Sequence, residues 1–112
     1  LIVLAGFLKK VPNSILSEFP DAVINIHPSL LPDYGGEGMY GMHVHNAVIE
    51  NEEEESGITI HYVTEEYDEG DILFQESVEV DFEDSAEDLQ YKIQQLEYKH
   101  YPELIEYLLI NA

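Results

Sequence analysis

The first six residues, Leu1-Ile2-Val3-Leu4-Ala5-Gly6, form an unbroken apolar run closed by glycine. A strand with no polar side has no face to offer water, so a run this short and this apolar reads as a strand buried on both faces of a largely parallel sheet. It predicts a central strand with a neighbour on each side, and hence an α/β sheet with covering layers. The chain opens on this run without an initiator Met. We therefore expect the later part of a longer protein, cut just before a central strand.

The remaining elements follow from local signals. Pro12 and Asn13 punctuate the chain, with Asn13 a cap for a short helix ending before Pro20. Ala22 to Ile26 is a second short apolar strand leading straight into His27. Residues 28–41 carry two prolines and four glycines and read as loop. His43 to Glu50 predicts a short helix. Gly57 to Thr64 alternates, with Ile58, Ile60 and Tyr62 on one face and Thr59, His61 and Val63 on the other, the mark of a strand. Ile72 to Val80 is another strand, with a phase slip near Glu76 that predicts a bulge. Ser85 three residues before Asp88 resembles a capping box. Leu89, Ile93 and Leu96 then recur at helical spacing to the chain's end, with a kink or restart expected at Pro102.

Composition narrows the function classes. At 112 residues with 45% hydrophobic content, the chain fits one folded domain with a real core. No apolar stretch approaches the ~20 residues of a membrane helix, and no signal peptide is expected. Cysteine is absent, which removes disulfides and thiolate metal sites. A soluble cytoplasmic protein is expected. With 24 acids against 4 bases the net charge is −20, which repels phosphate backbones and argues against nucleic-acid binding.

Asn25-Ile26-His27-Pro28-Ser29-Leu30-Leu31-Pro32 is where chemistry enters. Residues two apart on a strand point the same way, so an amide and an imidazole emerge together at a strand's carboxyl end, where open α/β sheets bind ligands. The amide can donate to a developing oxyanion, and the imidazole can move a proton near neutral pH. Pro28 and Pro32 stiffen the turn behind them. A carboxylate near His27 would orient the ring and raise its pKa. The acidic turn from Glu65 to Asp71 could supply it, but it holds five acids in seven positions, and spacing alone does not choose among them. Ser29 reads as a turn residue bonded locally.

The stretches LAGF, NIHPSLLP, HVHNAVIE, SGITIHYVTEEYDEGDIL and the late Gln94-Gln95-Leu96-Glu97, in this order over nearly all of the chain, resemble the folate-dependent formyltransferases, most closely the phosphoribosylglycinamide branch. The resemblance implies an α/β three-layer fold with a mixed sheet and a long terminal helix, spanning residues 1–112 as the later part of such a domain. It implies Asn25, His27 and Asp68 as the catalytic set. It implies 10-formyltetrahydrofolate as co-substrate, held by Leu8, Lys9, Val11, Val63, Thr64 and Glu65. It further implies glycinamide ribonucleotide as acceptor, contacted by Glu97, and no metal. Lys9 stands where the family often has Arg, so its contact to a folate glutamate tail would not be bidentate. The family's glycine-rich phosphate loop has no counterpart here, so the chain by itself is expected to be nearly inactive and to self-associate through exposed apolar edges. The glycine-rich segment at 33–42 is longer than the family usually shows.

Other readings remain. Methionyl-tRNA formyltransferase and formyltetrahydrofolate deformylase resemble the same Asn-x-His and Asp arrangement, although the strong acidity speaks against a tRNA partner. A non-catalytic folding or interaction fragment is the alternative of another class. Five histidines raise a metal site, but His43 and His45, two apart on a helix, face apart, and no ligand spacing is recognisable. His43 and His61 are expected to make structural hydrogen bonds around the site.

Overall fold

Pairing, more than composition, decides which apolar run is central. The computed structural model describes residues 1–6 and 9–111. Strands β1 (Ile2–Ala5), β2 (Val23–His27), β3 (Glu55–Tyr62) and β4 (Ile72–Glu79) form one sheet in the order β1-β2-β3-β4. β1 and β2 are parallel, and the other two pairings are antiparallel. The helices are α1 (Asn13–Glu18), α2 (Met42–Glu50) and α3 (Ala86–Ile110). This is the mixed sheet and long terminal helix expected from the sequence.

Among the described residues β1 pairs only with β2, with Val3 40% exposed, and the second neighbour expected of a central strand is not among them. The fully buried role goes to β2 and β3, which are flanked on both sides. Residues 56–61 are all buried, so β3 alternates in chemistry but not in exposure.

The register sorts that chemistry by face. Ile26 lies opposite Ile60, and the isoleucines at 24, 26, 58 and 60 turn toward Val44 and Val48 of α2 and Leu89 and Ile93 of α3, making the core. On the other face, Asn25 lies opposite His61 and His27 opposite Thr59. One sheet therefore carries an aliphatic side that holds the fold and a polar side free for a site.

Local details depart from expectation in three places. Asn13 lies inside α1; Pro12 is the cap position, and no side chain caps the helix. Proline has no side-chain acceptor for the first-turn N–H groups, so the helix starts only on the Pro12 carbonyl, which accepts from Ile15 N at 3.0 Å and Leu16 N at 3.2 Å. The ladder irregularity falls where Ile60 pairs Phe74 and His61 pairs Ile72, not near Glu76. The skipped residue is Leu73, which packs against the core. Finally, α3 continues through Pro102 as one helix. A proline removes one ladder bond, but Tyr101 beside it is buried in the core and donates its hydroxyl to the Leu4 carbonyl at 2.6 Å, fixing this turn against β1. The capping box forms as the sequence implies: the Ser85 hydroxyl accepts from Asp88 N at 3.1 Å, and the Asp88 carboxylate accepts from Ser85 N at 3.0 Å.

Candidate functional site

The stiff turn after β2 is held from β3. The Thr59 hydroxyl donates to the Ser29 carbonyl at 2.7 Å and accepts from Leu31 N at 3.0 Å and from the Gln75 amide at 2.9 Å. The same Gln75 amide donates to the Leu31 carbonyl at 2.9 Å. Ser29, fully buried, closes the turn by donating to the Asp33 carbonyl at 2.6 Å. One buried hydroxyl with three partners thus fixes the backbone that follows His27, so the imidazole has little room to drift.

Asp68 reaches the polar face from the loop between β3 and β4. Its backbone is left-handed, with φ 55°, a conformation that aspartate tolerates better than most residues. Gly70 allows the loop to lie close: a Cβ at this position would collide with the Tyr62 carbonyl. The carboxylate is 11% exposed. Its Oδ1 lies 3.5 Å from His27 Nδ1 and 3.7 Å from His61 Nε2, and its Oδ2 accepts from Gly36 N at 2.9 Å. Gly36 has φ 95°, an orientation that few other residues adopt.

Both histidines are pinned the same way. His27 Nε2 is 2.7 Å from the Tyr34 carbonyl, and His61 Nδ1 is 2.9 Å from the Tyr62 carbonyl. A carbonyl only accepts, so each of these nitrogens carries the ring proton. When the His27 ring is neutral, its other nitrogen presents a lone pair toward Asp68, and it gains an ion pair only by taking a second proton.

For His27 two effects oppose. Burial disfavours the imidazolium, whereas Asp68 and the Tyr34 carbonyl favour it. Burial is the larger, so the His27 pKa lies below the ordinary value and not above it, as a carboxylate neighbour alone would imply. His45, on the buried side of α2, is held below its ordinary value by burial and then by the charge of His27. Burial moves the Glu97 carboxyl the other way, above its usual range.

These groups stand between two cavities. The larger, about 490 Å³, is bounded by Asn25, His27, Asp68 and His45, by Gly36 to Gly41 of the long loop, and by Gln90, Gln94, Glu97 and Tyr98 of α3. The smaller, about 40 Å³, is bounded by Asn25, His61 and Asp68 together with Lys9, Val11, Val63 and Thr64. Asn25, Tyr67 and Asp68 line both. A reacting centre at that shared wall would meet one ligand from each side.

The structure therefore brings Asn25, His27 and Asp68 together, places Lys9, Val11, Val63 and Thr64 on one cavity and Glu97 on the other. Glu65 does not line either cavity; it borders an adjoining surface hollow with Leu16 and Phe19, which Val63 and Thr64 also line. Leu8 lies outside the described residues. Gln90, Gln94 and His45 join the site without being named for it from sequence, and His61, expected only to make structural hydrogen bonds around the site, is brought beside Asp68 by register. Gln90 and Gln94, four apart and followed by Glu97, form a polar stripe beside the apolar one on α3, and that spacing could have marked them. His45 was dismissed with His43 as half of a poor metal pair, yet its spacing one residue after Val44 and three before Val48 already put it on the buried face of α2.

Known proteins carry the same order of elements. A family profile described as "Formyl transferase" matches residues 1–105. The chloroplastic phosphoribosylglycinamide formyltransferase of Arabidopsis thaliana is 46% identical over 93% of the chain, and the Escherichia coli (strain K12) phosphoribosylglycinamide formyltransferase is 37% identical over 96%. The chain spans 36% and 48% of the length of those two proteins. The crystal structure of phosphoribosylglycinamide formyltransferase from Bacillus halodurans superposes with a TM-score of 0.86 at 39% identity, covering 96% of the chain and 53% of that protein. Agreement in sequence and in fold over nearly the whole chain has one meaning: this chain belongs to the formyl transferase family.

Proposed function

We propose that the chain takes part in transfer of a formyl group from 10-formyltetrahydrofolate to the primary amine of glycinamide ribonucleotide, a step of purine synthesis. The observation that carries this reading is the convergence of Asn25, His27 and Asp68, with Asn25 and Asp68 on the wall shared by two cavities and His27 beside Asp68 on the larger. Lys9, Val11, Val63 and Thr64 around the smaller cavity face the folate, which is far larger than the about 40 Å³ enclosed there and so lies mostly outside it. The larger cavity, with Glu97 and the α3 amides, takes the ribonucleotide. Family membership supports the reaction class.

The amine nitrogen attacks the formyl carbon; a carbon–nitrogen bond forms and the carbonyl electrons pass to oxygen. The Asn25 amide donates to that oxyanion. His27, neutral at rest because it is buried, takes up the proton lost by the amine, directly or through a bound water, and Asp68 stabilises the imidazolium so formed. Collapse of the tetrahedral centre breaks the bond to N10 of the folate. That nitrogen receives the proton, leaving the formylated amine and tetrahydrofolate. Glu97 accepts from ligand hydroxyls. No covalent intermediate on the protein and no metal is called for. We assign the reaction to the cytoplasm; no described helix is long and apolar enough to cross a membrane. We also propose that the chain alone self-associates along the exposed edge of β1.

The test is a formyl-transfer assay of the full-length protein with both substrates. Asn25→Ala and His27→Ala should each lower kcat by about 10²–10³-fold. Formate release at the same rate with the amine omitted would replace transfer by hydrolysis. Wild-type kcat in both variants would remove the assignment of the site.

A further inference from the structure

Four buried side-chain atoms lack a hydrogen-bond partner among the described residues: Asn25 Oδ1, His45 Nδ1, Ser56 Oγ and His61 Nε2. Native folds leave few such atoms, because each one costs free energy. Here three of the four belong to residues that line the two cavities. Asn25 and His61 stand beside Asp68 and are explained by the reacting centre. His45 is not. It comes from a different element, α2, is 2% exposed, and forms part of the wall of the larger cavity only.

Gln94 and Glu97 of α3 line the larger cavity too, from the helix packed beside α2. A neutral imidazole suits such a wall. It offers one donor and one acceptor and adds no charge beside His27, whose protonation a second imidazolium would oppose.

We propose that His45 is a specificity residue for the formyl acceptor: its neutral ring hydrogen-bonds the amine-bearing ligand in the larger cavity, directly or through one water carried in with that ligand. This rests on the formyl-transfer reading of the site. The inference gives the acceptor a contact on α2 as well as on α3, and it separates His45 from the folate side altogether.

The test has two arms. In the first, KM is measured for glycinamide ribonucleotide and for 10-formyltetrahydrofolate separately, in the wild type, His45→Leu and His45→Gln. His45→Leu should raise KM for the ribonucleotide by about 10-fold or more and leave KM for the folate within about 3-fold; His45→Gln, which keeps a donor and an acceptor, should restore most of the loss. Equal effects on both constants, or no recovery with Gln, would overturn the inference. The second arm needs no substitution: ring-nitrogen NMR shifts of His45 in the wild-type protein should move when glycinamide ribonucleotide is added and stay in place when a non-reactive folate analogue is added. A His45 signal that ignores the ribonucleotide while His27 responds would overturn the inference and leave the transfer reading intact. Both arms use the full-length protein, and a full-length wild type that transfers no formyl group would overturn that reading and the inference with it.

Discussion

Three histidines of this chain are almost fully buried, and each answers to a different neighbour. His27 and His45 are both held below the ordinary imidazole value, chiefly by burial. The sign of the consequence follows. As pH falls below about 6.5, the unfolded chain takes up protons before the folded one, so stability is complete above that pH and declines beneath it. Glu97 acts in the opposite sense, because its raised pKa penalises the folded carboxylate as pH rises above the usual carboxyl range. The histidine contribution is therefore read by comparison: the urea midpoint of the wild type should fall more between pH 7.5 and 5.5 than that of His45→Gln, and equal falls would show that His45 charges freely in the fold. Thr59 sets a second test at this scale. Thr59→Val keeps the shape but strips the hydroxyl from Leu31 N, the Ser29 carbonyl and Gln75. It should cost about 1–3 kcal/mol in denaturant unfolding and lower formyl transfer by loosening the turn behind His27; an unchanged midpoint would mean that the turn holds without it.

At the scale of elements, the helices differ in how firmly their own sequence fixes them. α3 has a reciprocal cap at Ser85 and Asp88, and Lys92 ties its second turn to the loop after β4, with Nζ 3.0 Å from Asp81 Oδ2 and 2.6 Å from Asp84 Oδ2. Its start is set locally, so Ser85→Ala should lower stability by about 0.5–2 kcal/mol, read from the urea midpoint, without changing KM for either substrate. A shift in KM would show that the cap also places Gln94 and Glu97. α1 has neither a side-chain cap nor a buried residue, and α2 has no side-chain cap but is anchored by Val44, His45 and Val48. The site draws on elements of both kinds, with β2 and β3 supplying the rigid side and the 28–41 and 63–71 loops folding over it.

For the molecule as a whole, charge and apolar surface pull in opposite directions. A net charge of −20 keeps copies apart, while the β1 edge and exposed side chains such as Phe82, fully open to solvent, and Ile110 favour contact. Salt weakens the first and leaves the second. Light scattering at a fixed high concentration should therefore show the mean mass of the chain rising from low salt to roughly 0.3 M as the Debye length shrinks below ~10 Å. A mass that stays monomeric throughout would remove the proposed self-association.

The sequence by itself determined the elements that depend on neighbours along the chain: the capping box, the helical stripe of α3, the alternation of β3, and the Asn25–His27 pair at a strand end. It also carried enough order-specific motif to name the family and, through it, to select Asp68 from five acids. What only the tertiary structure decided depends on pairing across the sheet and on depth. Register put His61 beside Asn25; burial reversed the direction in which Asp68 alone would move His27; and the packing of α2 onto the core brought His45 to the cavity. Local sequence sets backbone conformation through short-range sterics and hydrogen bonds, but desolvation and cross-strand contact are properties of residues far apart in the chain, and these set the electrostatics of the site.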